Sequence, residues 1–97
     1  MDGTSLHHIV LMKFLDRADA GEAERLLLAM ASAVPQIRSM TVELDEAGTA
    51  VSYDLCMTTV HDSIEQLSGY QSHPAHLEVA AWLKPRLAAR AVVDYHR

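Results

Sequence analysis

Strand-like and helix-like segments take strict turns along this chain of 97 residues, and that alternation limits the fold more than any other feature. "LHHIVLMKFL" at 6–15 is rich in strand formers and short enough for a buried strand. Its period of two puts His8, Val10, Met12 and Phe14 on one face, with His7, Ile9, Leu11 and Lys13 on the other. Asp19 followed by Glu22 has the spacing of a capping box, and Ala23, Leu26, Leu27, Met30 and Ala31 then recur at helical spacing until Pro35. A second strand is predicted over 37–48 and a third over 50–60, joined as a hairpin through Glu46, Ala47 and Gly48. Asp62 with Glu65 predicts a second capped helix whose inner side carries Ile64, Leu67 and Tyr70. Ser72-His73-Pro74 breaks that helix and opens another over about 74–84, burying Leu77, Val79, Ala80 and Leu83, since proline suits a first helical turn. Residues 89–97 close the chain as a fourth strand.

The order is β-α-β-β-α-β. Two right-handed crossovers around a hairpin give a ferredoxin-like α+β fold, a four-stranded antiparallel sheet with its helices on one face. No linker, repeat or low-complexity tract divides the sequence, which reads as a single domain over 1–97. Several strands carry apolar residues on both faces, so a second copy packed sheet against sheet is expected, making a homodimer.

Composition removes several function classes. The net charge is −5 and the eight Lys and Arg residues are scattered, which leaves no basic footprint for nucleic acid and no polybasic patch for anionic lipid. No apolar run approaches a membrane span and "MDGTSLHH" has no signal-peptide pattern, so the expected location is the cytoplasm. The single cysteine, Cys56, excludes an internal disulfide and is expected to be buried packing. His7 and His8 point to opposite faces of a strand, and His73 with His76 has no evident third ligand, so no metal site is expected. Ser63 and Ser68 lie outside any nucleophile elbow, and no Gly-rich phosphate loop is present.

Three stretches carry a family resemblance: "HIVLMKF" at 8–14, the block at 53–76 ending in Tyr70-x-x-His73-Pro74-x-His76, and "AVVDYHR" at 91–97 with Asp94 and Tyr95. On these the chain resembles the stress-responsive A/B barrel (Dabb) family. The resemblance implies a ferredoxin-like protomer that dimerises into an α+β barrel. It implies less about activity, because the family spans a plant polyketide cyclase, olivetolic acid cyclase, as well as heat-stable stress-induced oligomers and bacterial members of unassigned role. In the cyclase a tyrosine and a histidine of this block carry an aldol-type ring closure without cofactor, and they match Tyr70 and His76. His8 matches a first-strand histidine of the same cavity. A further cyclase histidine on the third strand is not reproduced; Leu55 takes its place, with Asp54 beside it.

The chemistry implied is cofactor-independent acid–base catalysis on a small carbonyl or polyketide-like compound. An imidazole suits removal of a proton α to a carbonyl near neutral pH, which makes His76 the candidate base. Tyr70 is the candidate hydrogen-bond donor to the developing enolate oxygen, and His8 the orienting group. Val10 and Met12 would supply an apolar wall to the substrate, and Leu55 would line the same space. Each residue also has a structural reading: Tyr70 as a core tyrosine, His76 as a helix-entry residue, His73 as a cap, Trp82 as an anchor against the sheet or a partner. Asp54 and Asp94 are read as strand-end hydrogen-bonding groups or dimer contacts. Two other functions stay open: a non-catalytic stress-associated or small-ligand-binding oligomer, and a cofactor-free monooxygenase on a shared dimeric barrel.

Overall fold

The computed structural model describes residues 4–97. β1 (Leu6–Phe14) forms because it is rich in strand-favouring apolar residues, and the strand's period of two decides its faces. Leu6, His8, Val10, Met12 and Phe14 are buried under the helices, whereas His7, Ile9, Leu11 and Lys13 are only half-buried on the other face. A 3-10 turn (Arg17–Asp19) leads into α1 (Ala20–Ala31), which buries Ala23, Leu27 and Met30. The expected capping box does not form. Asp19 makes no side-chain cap; Asp16 instead accepts from the Ala18 N–H and caps the preceding turn, because the 3-10 segment moves the helix entry upstream.

β2 (Ser39–Leu44) and β3 (Leu55–His61) follow as a hairpin, then α2 (Ile64–Gln71), α3 (Pro74–Leu83), a second 3-10 turn (Lys84–Arg86) and β4 (Leu87–His96). The sheet order is β2-β3-β1-β4 with every pair antiparallel, so the ferredoxin-like expectation holds. The hairpin strands are shorter than the sequence predicts, since residues 45–54 form a turn rather than paired strand. Asp45 shapes that turn by accepting from the N–H of Gly48, whose φ of +62° favours glycine.

Ser63, not Asp62, caps α2, its hydroxyl accepting from the Gln66 N–H at 3.2 Å; Asp62 is turned outward to Arg38. Ile64 and Leu77 do not face the core as expected, being 50% and 55% exposed, whereas Leu67, Tyr70 and Leu83 do. Cys56 departs from expectation too: it lies half-buried on the sheet face away from the helices, because β3 presents Leu55 and Met57 inward. His73 caps α3, its Nδ1 accepting from the Ala75 N–H at 3.0 Å, and Pro74 occupies the first turn. The second 3-10 turn, containing Pro85, ends the helix, and Trp82 is clasped there by the Arg86 guanidinium 4.3 Å from its ring.

Asp54 locks the sheet corner. Its N–H donates to the Met12 carbonyl and its own carbonyl accepts from the Asp45 N–H, both at 2.9 Å. Its buried carboxylate accepts from the Phe14 N–H at 2.8 Å and from Arg17 at 2.9 Å. One residue thereby joins the ends of three strands to the turn before α1.

On the face away from the helices, the rings of His7 and Tyr95 stack at 5.3 Å between apolar neighbours, and Val93 is 61% exposed. Among the described residues no helix is long and apolar enough to cross a membrane.

Candidate functional site

Beneath α2 and α3 the helix-side face of the sheet turns polar. His8 on β1 lies opposite Thr59 on β3 and Asp94 on β4, so three neighbouring strands each contribute a hydrogen-bonding side chain to one row. His8 Nδ1–H donates to the Asp94 carboxylate at 2.5 Å. That bond holds the His8 ring in place and puts a hydrogen on Nδ1.

Two residues along β3 from Thr59, on the same face, stands His61, which has no exposed surface. Its Nδ1–H donates to the Gln36 carbonyl at 2.7 Å, and its Nε2 accepts from the Thr59 hydroxyl at 2.8 Å. Both nitrogens are satisfied by a neutral ring, and burial pushes its pKa below the ordinary histidine value.

Tyr70 comes down from α2 between these rings. It stacks on His61 at 5.3 Å and meets His8 edge-on at 6.4 Å. On its other side His76, from the first turns of α3, meets it edge-on at 4.7 Å. The helix break at His73-Pro74 makes this possible, because it redirects the chain so that two helices present Tyr70 and His76 to one spot. Burial pushes the Tyr70 phenol up to about 12, so it stays protonated and keeps its donor hydrogen at neutral pH. Its hydroxyl finds no oxygen or nitrogen partner, only the Met57 sulfur at 4.0 Å. His76 also has spare capacity, since its Nδ1 is buried with no hydrogen-bond partner. Burial holds the His76 pKa below the usual value; the Gln71 carbonyl opposes this shift, while the charges of Arg90 and His8 add to it.

A groove of about 510 Å³ opens beside His76, between α3 and the helix-side surface of β4. Met12, Leu83 and Leu87 give it apolar walls, and Lys84 and Arg90 lie on it as well. Of the residues singled out in the sequence, His76 and Met12 line the groove. Tyr70 and His8 lie directly behind His76, 1% and 2% exposed. Val10 is wholly buried in the core, away from any opening. Leu55 does not share the groove; it borders a smaller pocket of about 280 Å³ at the hairpin end, with Tyr53 and Val51.

Sequence reasoning missed His61, because it closed the third strand at residue 60 and opened the next helix at Asp62, leaving the histidine between the two elements. The signal was present: Leu55, Met57, Thr59 and His61 share one parity, so a strand longer by one residue would have put the histidine in the site. The third strand therefore does contribute a histidine to the cluster, at a different place from Leu55. Among the described residues, no group of three or more His, Cys, Asp or Glu residues is arranged to hold a metal ion.

Sheet order, helix placement and a groove at the helix–sheet edge define a ferredoxin-like α+β domain with a buried polar cluster behind that groove. The family profile described as the stress responsive A/B barrel domain matches residues 6–97, and the chain belongs to that family. No curated protein matches the sequence. Solved structures share the fold. A dimeric ferredoxin-like protein of unknown function from Thermobifida fusca YX superposes with a TM-score of 0.83 at 23% identity, over 98% of this chain and 92% of its own. The hydroxynitrile lyase of Passiflora edulis gives a TM-score of 0.81 at 15% identity, over 96% and 93% of the two chains. A putative antibiotic biosynthesis monooxygenase from Chloroflexus aurantiacus J-10-fl gives 0.73 at 22% identity, over 96% and 90%. At these identities the likeness is one of fold, which unrelated reactions share.

Proposed function

We propose that this protein is a homodimeric, cofactor-independent acid–base catalyst acting on a small carbonyl compound of polyketide-like type, with the groove beside His76 as its substrate site. The observation that carries the reading is His76 itself: an imidazole kept neutral by burial, with an unpartnered nitrogen, on the wall of an apolar groove. A neutral imidazole accepts the proton α to the carbonyl, and the electron pair of the broken C–H bond moves onto the carbonyl oxygen as an enolate. Attack of that carbon on a second carbonyl of the same chain closes a ring, and the imidazolium returns its proton to the new alkoxide. Tyr70 donates to the enolate oxygen, a task for which its raised pKa suits it. It lies one ring behind His76 and is almost wholly buried, so this role requires the His76 ring to move aside. His8, held by Asp94, supports the Tyr70 ring edge-on from the sheet. Two points of support come from outside the site. The half-buried apolar face of the sheet is suited to a second copy, and a structural relative is described as dimeric. Another structural relative, on the same fold, is a hydroxynitrile lyase.

The experiment follows ring closure of a cyclisable poly-β-ketone ester by the wild type and by His76→Ala. Loss of the base is expected to lower turnover by about 10²–10⁴-fold with the fold intact by circular dichroism. Equal rates overturn the reading. A second reading has its own observation: Tyr70 and His8 are closed off from the groove, as they would be in a small-ligand-binding oligomer with no chemistry. In that case His76→Ala changes ligand affinity, and the wild type itself gives no rate above background.

A further inference from the structure

The basic side chains divide unevenly. Of the eight Lys and Arg residues, Arg17, Arg25 and Arg38 are ion-paired with Asp45 and Asp54, Glu22, and Asp62. Lys13 donates to the Ser52 carbonyl, and Arg86 donates to the Trp82 carbonyl while covering its ring. Three have side chains with no ion pair or hydrogen bond among the described residues: Lys84, Arg90 and Arg97. Two of these three line the groove. The meeting of two cations without a carboxylate partner at one concave apolar site has a direct chemical meaning.

Arg90 stands on β4 opposite Met12 of β1, which places a cation beside the apolar floor of the groove. Asp94, the carboxylate on the same face of that strand, is already committed to His8 and is four residues away. Arg90 is close enough to His76 and Tyr70 for its charge to act on both. A guanidinium presents a planar fork that matches a carboxylate, and a neighbouring ammonium adds a second charge without fixed geometry.

We propose that the groove takes a small carboxylic acid with an apolar body, its carboxylate held by Arg90 with Lys84 alongside, and its body resting on Met12, Leu83 and Leu87 next to His76. This deepens the reading above and rests on the groove being the substrate site: the carbonyl compound it acts on is then an oxocarboxylate, anchored by its acid group so that the carbon to be deprotonated faces His76.

The test uses 4-phenylbutanoate and its neutral counterpart 4-phenylbutan-1-ol, titrated into the intact protein by calorimetry at low salt. The acid is expected to bind at least about tenfold more tightly than the alcohol, the margin of a charge-assisted pair. In Arg90→Met that advantage falls to less than about threefold while the affinity for the alcohol is unchanged; Arg90→Lys keeps part of it. Arg90 is exposed on β4, so these variants leave the core untouched, and added salt should erode the wild-type preference. Equal binding of the two probes, no binding of either, or a preference that survives both Arg90→Met and Lys84→Met overturns the proposal. The catalytic reading fails separately: a carboxylate preference that persists in His76→Ala while no ring closure is ever seen leaves the anion site standing without the chemistry.

Discussion

Replacing Tyr70 by Phe is expected to cut ring closure by about 10²–10³-fold, the effect of removing one donor to a developing oxyanion. The fold should hardly notice. The ring keeps its stack on His61 and its edge contact with His76, and the hydroxyl gives up only a 4.0 Å approach to the Met57 sulfur. A buried hydroxyl with so poor a partner contributes little net stability, so the unfolding free energy is expected to change by less than about 1 kcal/mol in either direction. The two readouts together separate function from packing. A large loss of turnover at unchanged stability supports the donor role, whereas unchanged turnover returns Tyr70 to the core as an ordinary packing residue. A loss of both would mean that the stack with His61 depends on the hydroxyl, and a Tyr70→Phe crystal structure would show the displaced ring.

The largest effect on stability is expected at Asp54. Truncation to Ala leaves the buried Phe14 N–H unpaired, releases Arg17 and opens the corner where β1, β2 and β3 are tied. Removing one member of a buried charged hydrogen-bonded set costs about 2–4 kcal/mol, which in a domain of this size lowers the melting temperature on the order of 10–20 °C. Asp54→Asn keeps an acceptor for Phe14 and gives up the charge, so it should fall between the wild type and Asp54→Ala. Thermal unfolding by circular dichroism measures all three. A midpoint for Asp54→Ala within 3 °C or so of the wild type, less than the shift from 1 kcal/mol, would show that the corner is held by the backbone ladder alone.

The topology was legible because it depends on period and punctuation. The alternation in β1 and the breaks at Pro35 and His73-Pro74 are local signals, and the structure follows them. The errors are of another kind. Ile64 and Leu77 have the right character for a core, yet which way a short helix faces is decided by its neighbours, and α2 and α3 turn those two side chains outward. Both capping boxes were one residue or one turn away from the true caps, Asp16 and Ser63, since several acceptors near a helix start compete for the same N–H groups. Tyr70, His76 and His8 could be picked out by their place in a patterned block. His61 could not without the true end of β3, and Asp94 found its partner only once β4 was registered against β1. The groove was out of reach altogether: Lys84 and Arg90 meet on it only in three dimensions, one from the turn after α3 and the other from β4.

The pH dependence of kcat/KM for ring closure addresses the central claim most directly. Folding holds the His76 pKa below 6.5, so the neutral base is present at neutral pH and activity is lost as pH falls through that lowered value. Tyr70, at about 12, brings no alkaline loss up to about pH 10. The account predicts a plateau through neutral pH, an acid limb with its midpoint below 6.5, and the disappearance of that limb in the residual activity of His76→Ala. An acid limb retained in His76→Ala, or a profile with no acid limb at all, would contradict it.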